Sequence, residues 1–272
     1  MRILAINDLS CVGKCSLAAS LPIVSACGIE CNVLPTAILS THTGGFTGYT
    51  FRDLTEDFPP ILAHWKQLGL TFDCIYSGYL GSIEQIDLVL AIKREFLKDG
   101  GLFIVDPVMG DNGNLYAGFT PAHVEKMKDL CRQANFILPN MTEACYLTNT
   151  PYPLHLQDAD DILQKLQQLT SHPIVTGIPN EKTISLFFID ENGQKRTLTH
   201  ENVEGFFCGA GDVFASAFVG SIMRGKSIST AVELCSDFVA SVIRRSQKEV
   251  PDKRYGLNFE AEIYPFLQKL NS

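Results

Sequence analysis

Basic charge is in short supply in this chain: 22 Lys and Arg stand against 30 Asp and Glu, a formal net charge of −8. A broad nucleic-acid surface needs clustered Lys and Arg, so that class of partner is not expected. A small anionic ligand is not excluded, because a local nest of backbone N–H groups outweighs diffuse surface charge. Long apolar runs are missing as well. The apolar part of Met1 to Asp8 is too short for a signal peptide, and no later run approaches the roughly 20 residues of a membrane span. A cytoplasmic location without membrane contact is therefore expected. The nine cysteines lack the spacing of a disulfide framework, which fits reduced thiols.

Other absences narrow the chemistry. Cys11 with Cys15 and Cys27 with Cys31 mimic paired metal ligands. Cys15 and Cys27, however, fall near opposite ends of one predicted helix, roughly 18 Å apart at 1.5 Å per residue, so one metal cannot be held by both pairs. The six histidines show no metal-ligand spacing. No Gly-x-Ser-x-Gly supports a serine hydrolase. Gly13-Lys14 lacks the rest of a P-loop, with Asp8 where the motif needs its first Gly and Cys15 where it needs Ser or Thr. There is no internal repeat and no low-complexity linker.

What is present is 46% hydrophobic and 19% charged residues over 272 positions, enough for one large core in a single domain. Short apolar runs predict strands at Arg2–Ile6, Cys31–Leu34 ended by Pro35, Cys74–Ser77, Leu102–Val105, Phe136–Leu138 and Ile174–Val175. Between them, patterning predicts helices at Lys14–Cys27 with Gly28 as its stop, Pro59–Leu68, Ser82 to Lys98 with Ser82 as N-cap, Pro121–Arg132, Thr142–Leu147 and Asp158–Leu169. Thr36 to Thr50, rich in Thr and Gly, reads as a loop over a ligand. Thr183–Ile189 and Lys195–His200 form a hairpin across Asp190-Glu191-Asn192-Gly193. Helices follow at Asp212–Arg224, Ser229–Arg245 and Phe259–Leu270. Continuously apolar strands alternating with helices imply an α/β fold: a mainly parallel sheet covered by helices on both faces. Ligands then sit beyond the carboxyl ends of the strands, where Asn7-Asp8, Tyr79, Asp106, Asn140 with Glu143, and Thr176-Gly177 collect.

The stretch from Phe207 to Phe218 organises the rest. Gly209-Ala210-Gly211 precede Asp212 and an apolar helical segment, a turn whose N–H groups can approach a phosphate. A carboxylate there is out of place unless it takes a proton beside that phosphate; the helix start is expected to keep it ionised. Asp106, after a buried strand, reads either as turn chemistry or as a carboxylate facing Mg²⁺ on a nucleotide. Asn140 with Glu143 reads either as a capping box or as part of the same metal site. Two carboxylates at neighbouring strand ends favour the metal. Thr176-Gly177 suits phosphate oxygens.

Together these pieces resemble the ribokinase-like superfamily of small-molecule kinases, and within it the pyridoxal/pyridoxamine (vitamin B6) kinases. The resemblance covers nearly the whole chain, 1–272 as one kinase domain, and rests on Ile6-Asn7-Asp8, Ser40-Thr41-His42-Thr43, Ser77-Gly78-Tyr79-Leu80-Gly81, Asp106 to Gly110, Pro139-Asn140 with Glu143, and Gly209 to Asp212. It implies a three-layer sandwich that phosphorylates the 5′-hydroxyl of a B6 vitamer in pyridoxal phosphate salvage. Asp212 would be the general base, with the N–H groups of Gly209, Ala210 and Gly211 on the transferring phosphoryl group. Asp106 and Glu143 would act at Mg²⁺ and the ATP phosphates, with Asn140, Thr176 and Gly177 on the nucleotide side. Asp8, Thr43 and Tyr79 fall where the family contacts the pyridine ring. Mg-ATP is the implied donor, a monovalent cation (K⁺) is an allowed companion, and a homodimer is the implied assembly. Two other readings stay open: a hydroxymethylpyrimidine kinase of thiamine synthesis, and a nucleotide-binding regulator without turnover. Many B6 kinases carry Ser where this chain has Asp8, which hints at pyridoxamine. Leu138 stands where some relatives have Thr. Cys208, just before the turn, is a candidate lining residue.

Overall fold

A computed structural model describes residues 1–153, 155–205 and 207–272. The chain divides into two compact units, Met1–Leu54 with Val203–Ser272, and Thr55–Asn202. In chain order the elements are β1 (Arg2–Ser10), α1 (Ser16–Ala26), β2 (Glu30–Leu39), β3 (Phe51–Asp53), α2 (Phe58–Gln67), β4 (Phe72–Ser77) and α3 (Ile83–Phe96). Next come β5 (Leu97–Val105), the short strands β6 (Gly110–Asp111) and β7 (Asn114–Leu115), α4 (Pro121–Cys131), β8 (Phe136–Ile137) and α5 (Met141–Thr148). The chain continues with α6 (Ala159–Leu166), β9 (His172–Asn180), β10 (Thr183–Ile189), β11 (Lys195–Glu201), α7 (Ala210–Met223), α8 (Ile228–Glu249) and α9 (Glu260–Asn271).

In the first unit β1 pairs parallel with β2, and β2 antiparallel with β3. α1 packs on β1, β2 and α7, and α8 lies against α7 and α9. In the second unit the strands run in the order β11-β10-β9-β8-β5-β4. Pairs from β4 to β9 are parallel; β9, β10 and β11 are antiparallel. The mainly parallel, helix-flanked α/β class is as the alternation of elements requires. Within the buried strand β1 the run Ile3 to Ile6, at 0% exposure, is apolar because helices cover it. The edge strand β11 is instead charged and exposed, which discourages pairing with another sheet. Among the described residues no helix is long and apolar enough to cross a membrane.

Helix starts follow their caps. The Ser82, Thr120 and Ser227 hydroxyls accept N–H groups of the first turns of α3, α4 and α8. Several boundaries differ from expectation. β1 does not end at Ile6: Asn7 and Asp8 mark a register irregularity, after which Leu9 and Ser10 still pair with Ile38 and Leu39. β2 runs through Pro35, which lies at that irregularity and before β3 begins pairing at Ala37, where a missing N–H is tolerated. The expected Thr36–Thr50 loop is thus strand up to Leu39, and Thr36 is buried. The helix expected to reach Lys98 stops at Phe96, and β5 starts at once. α1 starts at Ser16, two residues late, because Lys14 bridges to Gly256 instead. Thr176-Gly177 does not close a strand. It forms a bulge inside β9, opposite Leu186 between the pairs Val175–Phe187 and Ile178–Ser185, with Gly177 at φ +75°.

Candidate active site

Gly209 is the N-cap of α7 at φ +86°, so the chain arrives left-handed and leaves helical. A Cβ at 209 would lie 2.5 Å from the Lys14 carbonyl oxygen. Glycine is required there twice over, by conformation and by space. The N–H groups of Gly209, Ala210 and Gly211 then sit at a helix start, where intrahelical acceptors are lacking and the dipole favours anions. The Ala210 N–H reaches the Phe207 carbonyl only at 3.4 Å. A Cβ at Gly211 would meet nothing within 4 Å, so space is open over the turn.

Asp212 stands in the first turn of α7, half-buried. The Asn7 amide donates to its Oδ1 at 3.4 Å. Burial, with the charges of Asp8 and Cys208 adding to it, raises the carboxyl from 3.8 to about 7, while the Ser16 N–H and Asn7 pull the other way. The expectation that the helix start keeps Asp212 firmly ionised is therefore corrected: desolvation and like charge outweigh the dipole. The result suits a proton acceptor near neutral pH.

Asp8 is 8% exposed. Ser16 Oγ donates to its Oδ1 at 2.5 Å and Ser10 Oγ to its Oδ2 at 3.3 Å. Burial raises this carboxyl too, against those donors. The Asp8 N–H is held by Asn7 Oδ1 at 3.0 Å, which orients the Asn7 amide toward Asp212. Thr43 is exposed in the loop after β2.

Sequence reasoning passed over two residues here. His42, 4% exposed, sets Nε2 2.6 Å from the Arg254 carbonyl oxygen, so Nε2 carries the proton. Its Nδ1 then accepts from Gly44 N–H at 3.1 Å and lies 3.5 Å from Cys208 Sγ. Cys208 raises the His42 imidazole above its usual value, against partial burial. Ser16, the second, has φ +49°, unusual for a residue with a Cβ. The Thr-Gly-rich loop around His42 was a visible signal; nothing in Cys15-Ser16-Leu17 announces a left-handed serine.

The second unit gathers the other expected residues. Asp106 directly follows β5, 7% exposed, with its N–H on the Ser77 carbonyl at 2.8 Å. Asn140 caps α5 and forms the capping box with Glu143: Oδ1 accepts Glu143 N–H at 3.0 Å, and Glu143 Oε2 accepts Asn140 N–H at 2.8 Å. Glu143 Oε1 accepts Met109 N–H at 3.1 Å, which ties α5 to the segment after Asp106. Burial pushes the Glu143 carboxyl up to about 8 despite these donors. The Thr176 N–H donates to the Pro139 carbonyl at 3.0 Å, so the β9 bulge stands beside the α5 cap. The Tyr79 ring stacks on Phe119, centroids 5.8 Å apart and planes at 19°.

Among the described residues, no group of three or more His, Cys, Asp or Glu could hold a metal by itself. Mg²⁺ arriving on a nucleotide needs less, since it keeps waters and phosphate oxygens and takes one or two carboxylates. Asp106 and Glu143 would fit that role, Glu143 through lone pairs left beyond the N–H groups of Asn140, Met109 and Gly110.

The first unit carries the glycine turn with Asp212, the second carries Asp106, Glu143 and the β9 bulge, and the mainly parallel, helix-flanked α/β scaffold is that of the ribokinase-like small-molecule kinases. The family model described as phosphomethylpyrimidine kinase matches residues 18–256, and the chain belongs to that family. It is 34% identical to a Bacteroides thetaiotaomicron protein classed with the phosphomethylpyrimidine kinases and crystallised with pyridoxal. The TM-score is 0.92, over 97% of this chain and 95% of that one. Pyridoxal kinase from Lactobacillus plantarum is 31% identical, with a TM-score of 0.91 over 98% of this chain and 96% of that one. Pyridoxal kinase of Dictyostelium discoideum is 23% identical over 298 residues, 96% of this chain and 93% of the relative.

Proposed function

We propose that this chain is an ATP-dependent kinase that phosphorylates the 5′-hydroxyl of a vitamin B6 vitamer, in the salvage of pyridoxal phosphate. The observation that carries the reading is Asp212, raised to about 7, directly behind the N–H groups of Gly209 to Gly211. In this reading Asp212 takes the hydroxyl proton. The three N–H groups hold the transferring phosphoryl oxygens, fixed dipoles aimed where charge spreads in a loose transition state. Mg²⁺ on the nucleotide, when bound, neutralises phosphate charge, and Asp106 and Glu143 would hold it. Asn140 and the Thr176-Gly177 bulge would take the nucleotide side, and Asp8, Thr43 and Tyr79 the vitamer.

Steady-state kinetics with Mg-ATP and pyridoxal, pyridoxamine, pyridoxine or hydroxymethylpyrimidine test this directly. The B6 reading expects kcat/KM for at least one vitamer to exceed that for hydroxymethylpyrimidine. The family's own description favours the opposite order, and that outcome would replace this reading. ATP consumption with none of the four would leave a nucleotide-binding regulator.

Asp8 adds a finer expectation. A buried carboxylate with serine hydroxyls on both oxygens is a receptor for an ammonium group. Asp8→Ser is expected to lower the pyridoxamine-to-pyridoxal ratio of kcat/KM by about tenfold, the size of a lost hydrogen bond to a charged group. An unchanged ratio would remove Asp8 from vitamer choice.

A further inference from the structure

Three aromatic rings lie face to face in the second unit, and the proposed chemistry uses only one of them. Tyr79 stands in the turn between β4 and α3. Phe119 directly precedes Thr120, the N-cap of α4, and His123 sits in the first turn of that helix. The Phe119 ring stacks on His123 with centroids 3.9 Å apart and planes at 12°. Its contact with Tyr79 is the offset stack at 5.8 Å and 19°. Phe119 is the middle ring.

That middle ring is held from behind. His123 is 3% exposed, and its Nε2 has no hydrogen-bond partner among the described residues. Burial holds the imidazole below its usual value, so it stacks as a neutral ring. A buried nitrogen without a partner costs stability, so the face of this ring, not that nitrogen, is what the site uses. The Phe119 backbone is fixed as well. Its N–H donates to the Tyr116 carbonyl at 3.1 Å, and the Tyr116 N–H to the Met109 carbonyl at 2.9 Å. Met109 is fully buried and donates in turn to Glu143 Oε1 at 3.1 Å.

We propose that Phe119 is a positioning residue for a flat heteroaromatic acceptor: pinned by His123, it sets the plane of the Tyr79 ring against which that acceptor lies. This rests on the reading of Tyr79 as a vitamer contact. Tyr79 is half-buried beyond the carboxyl end of a parallel strand, where ligands of such sheets bind. A tyrosine ring free to turn there would offer a different surface in each orientation; a stacked neighbour selects one. Aromatic pairs favour offset-parallel or edge-on geometry, so a Tyr79 ring fixed in plane also limits the angle at which an aromatic acceptor is received. An acceptor without an aromatic ring, such as a sugar, gains nothing from that geometry.

The test compares Phe119→Leu with Phe119→Tyr in the full chain. Leucine is apolar but has no flat face, whereas tyrosine keeps the ring. The acceptor is pyridoxal or hydroxymethylpyrimidine, whichever the wild type turns over faster. Phe119→Leu is expected to raise KM for the acceptor about fivefold, the scale of an aromatic pair, with KM for ATP within about twofold. Phe119→Tyr should hold the acceptor KM within about twofold of the wild type. His123→Leu leaves Phe119 in place but removes its pin, and should raise the acceptor KM about threefold with the same split. A merely structural ring would lower the melting temperature and leave the acceptor KM unchanged, or raise both KM values together. Either result overturns the proposal, as does a tyrosine variant as impaired as the leucine one. The B6 reading fails on a different observation, a wild type that prefers hydroxymethylpyrimidine, and the variants are then compared with that acceptor. Without turnover, the calorimetric Kd for pyridoxal takes the place of KM, and a wild type that binds neither acceptor overturns both readings.

Discussion

Asp212→Asn is expected to lower kcat by about 10²–10⁴-fold, the usual worth of a positioned general base, while leaving the Kd for Mg-ATP within about twofold. Asn keeps the shape of the side chain and its bond with Asn7, so the anion nest stays in place. What disappears is the acceptor for the hydroxyl proton. The pH profile supplies a second check. With the carboxyl raised to about 7, the wild type should lose kcat/KM as pH falls through 7, about tenfold per unit well below it. The variant should show no such limb. Stability should respond with the opposite sign. A carboxyl raised on folding favours the fold while protonated, and this contribution is lost as pH rises from 3.8 through about 7. At pH 8 the wild type carries an ionised, partly desolvated Asp212 beside Asp8, whereas the Asn variant does not. Its melting temperature at pH 8 should therefore equal or exceed the wild type's. Near-wild-type turnover would end the assignment of Asp212 as base.

The sequence exposed those parts of the site that depend on short-range chemistry. The Gly209-Ala210-Gly211-Asp212 turn is legible because a left-handed N-cap, a close backbone approach and a helix start all act within four residues. The Asn140–Glu143 box is legible for the same reason, since both of its reciprocal bonds fall within four residues. Hidden were features set by a neighbouring strand or helix. Pro35 looked like a strand end because the pairing that carries β2 past it comes from β1 and β3. Thr176-Gly177 looked terminal because a bulge needs its partner β10 to be seen. The proton affinity of Asp212 was misjudged for the same reason. The helix-start effect is local and visible, whereas the burial and the Asp8 charge that overcome it arrive from distant positions. Ser16 was invisible altogether, since neither its left-handed φ of +49° nor its hydrogen bond to Asp8 has a signature in the residues beside it.

Gly209→Ala and Gly211→Ala should separate what the fold demands of this turn from what the ligand demands. At 209 an added methyl must adopt φ +86° and would lie 2.5 Å from the Lys14 carbonyl, so either α7 or the segment before α1 has to move. A loss of roughly 2–3 kcal/mol in stability is expected, seen as a melting temperature several degrees lower. Because that shift misaligns the N–H groups, kcat should fall by about 10²–10³-fold, the cost of an oxyanion-hole donor. At 211 the added methyl meets no protein atom within 4 Å and sits in a helical turn. Alanine is the better helix former by about 1 kcal/mol, so the melting temperature of Gly211→Ala should hold or rise. Its methyl nevertheless enters the space over the turn that a phosphoryl group would occupy, and activity should drop with KM for ATP rising. Stability lost at one glycine and kept at the other, with activity lost at both, is the pattern a phosphate-binding turn requires. Full activity in Gly211→Ala would mean that the open space above the turn is not where the phosphate goes.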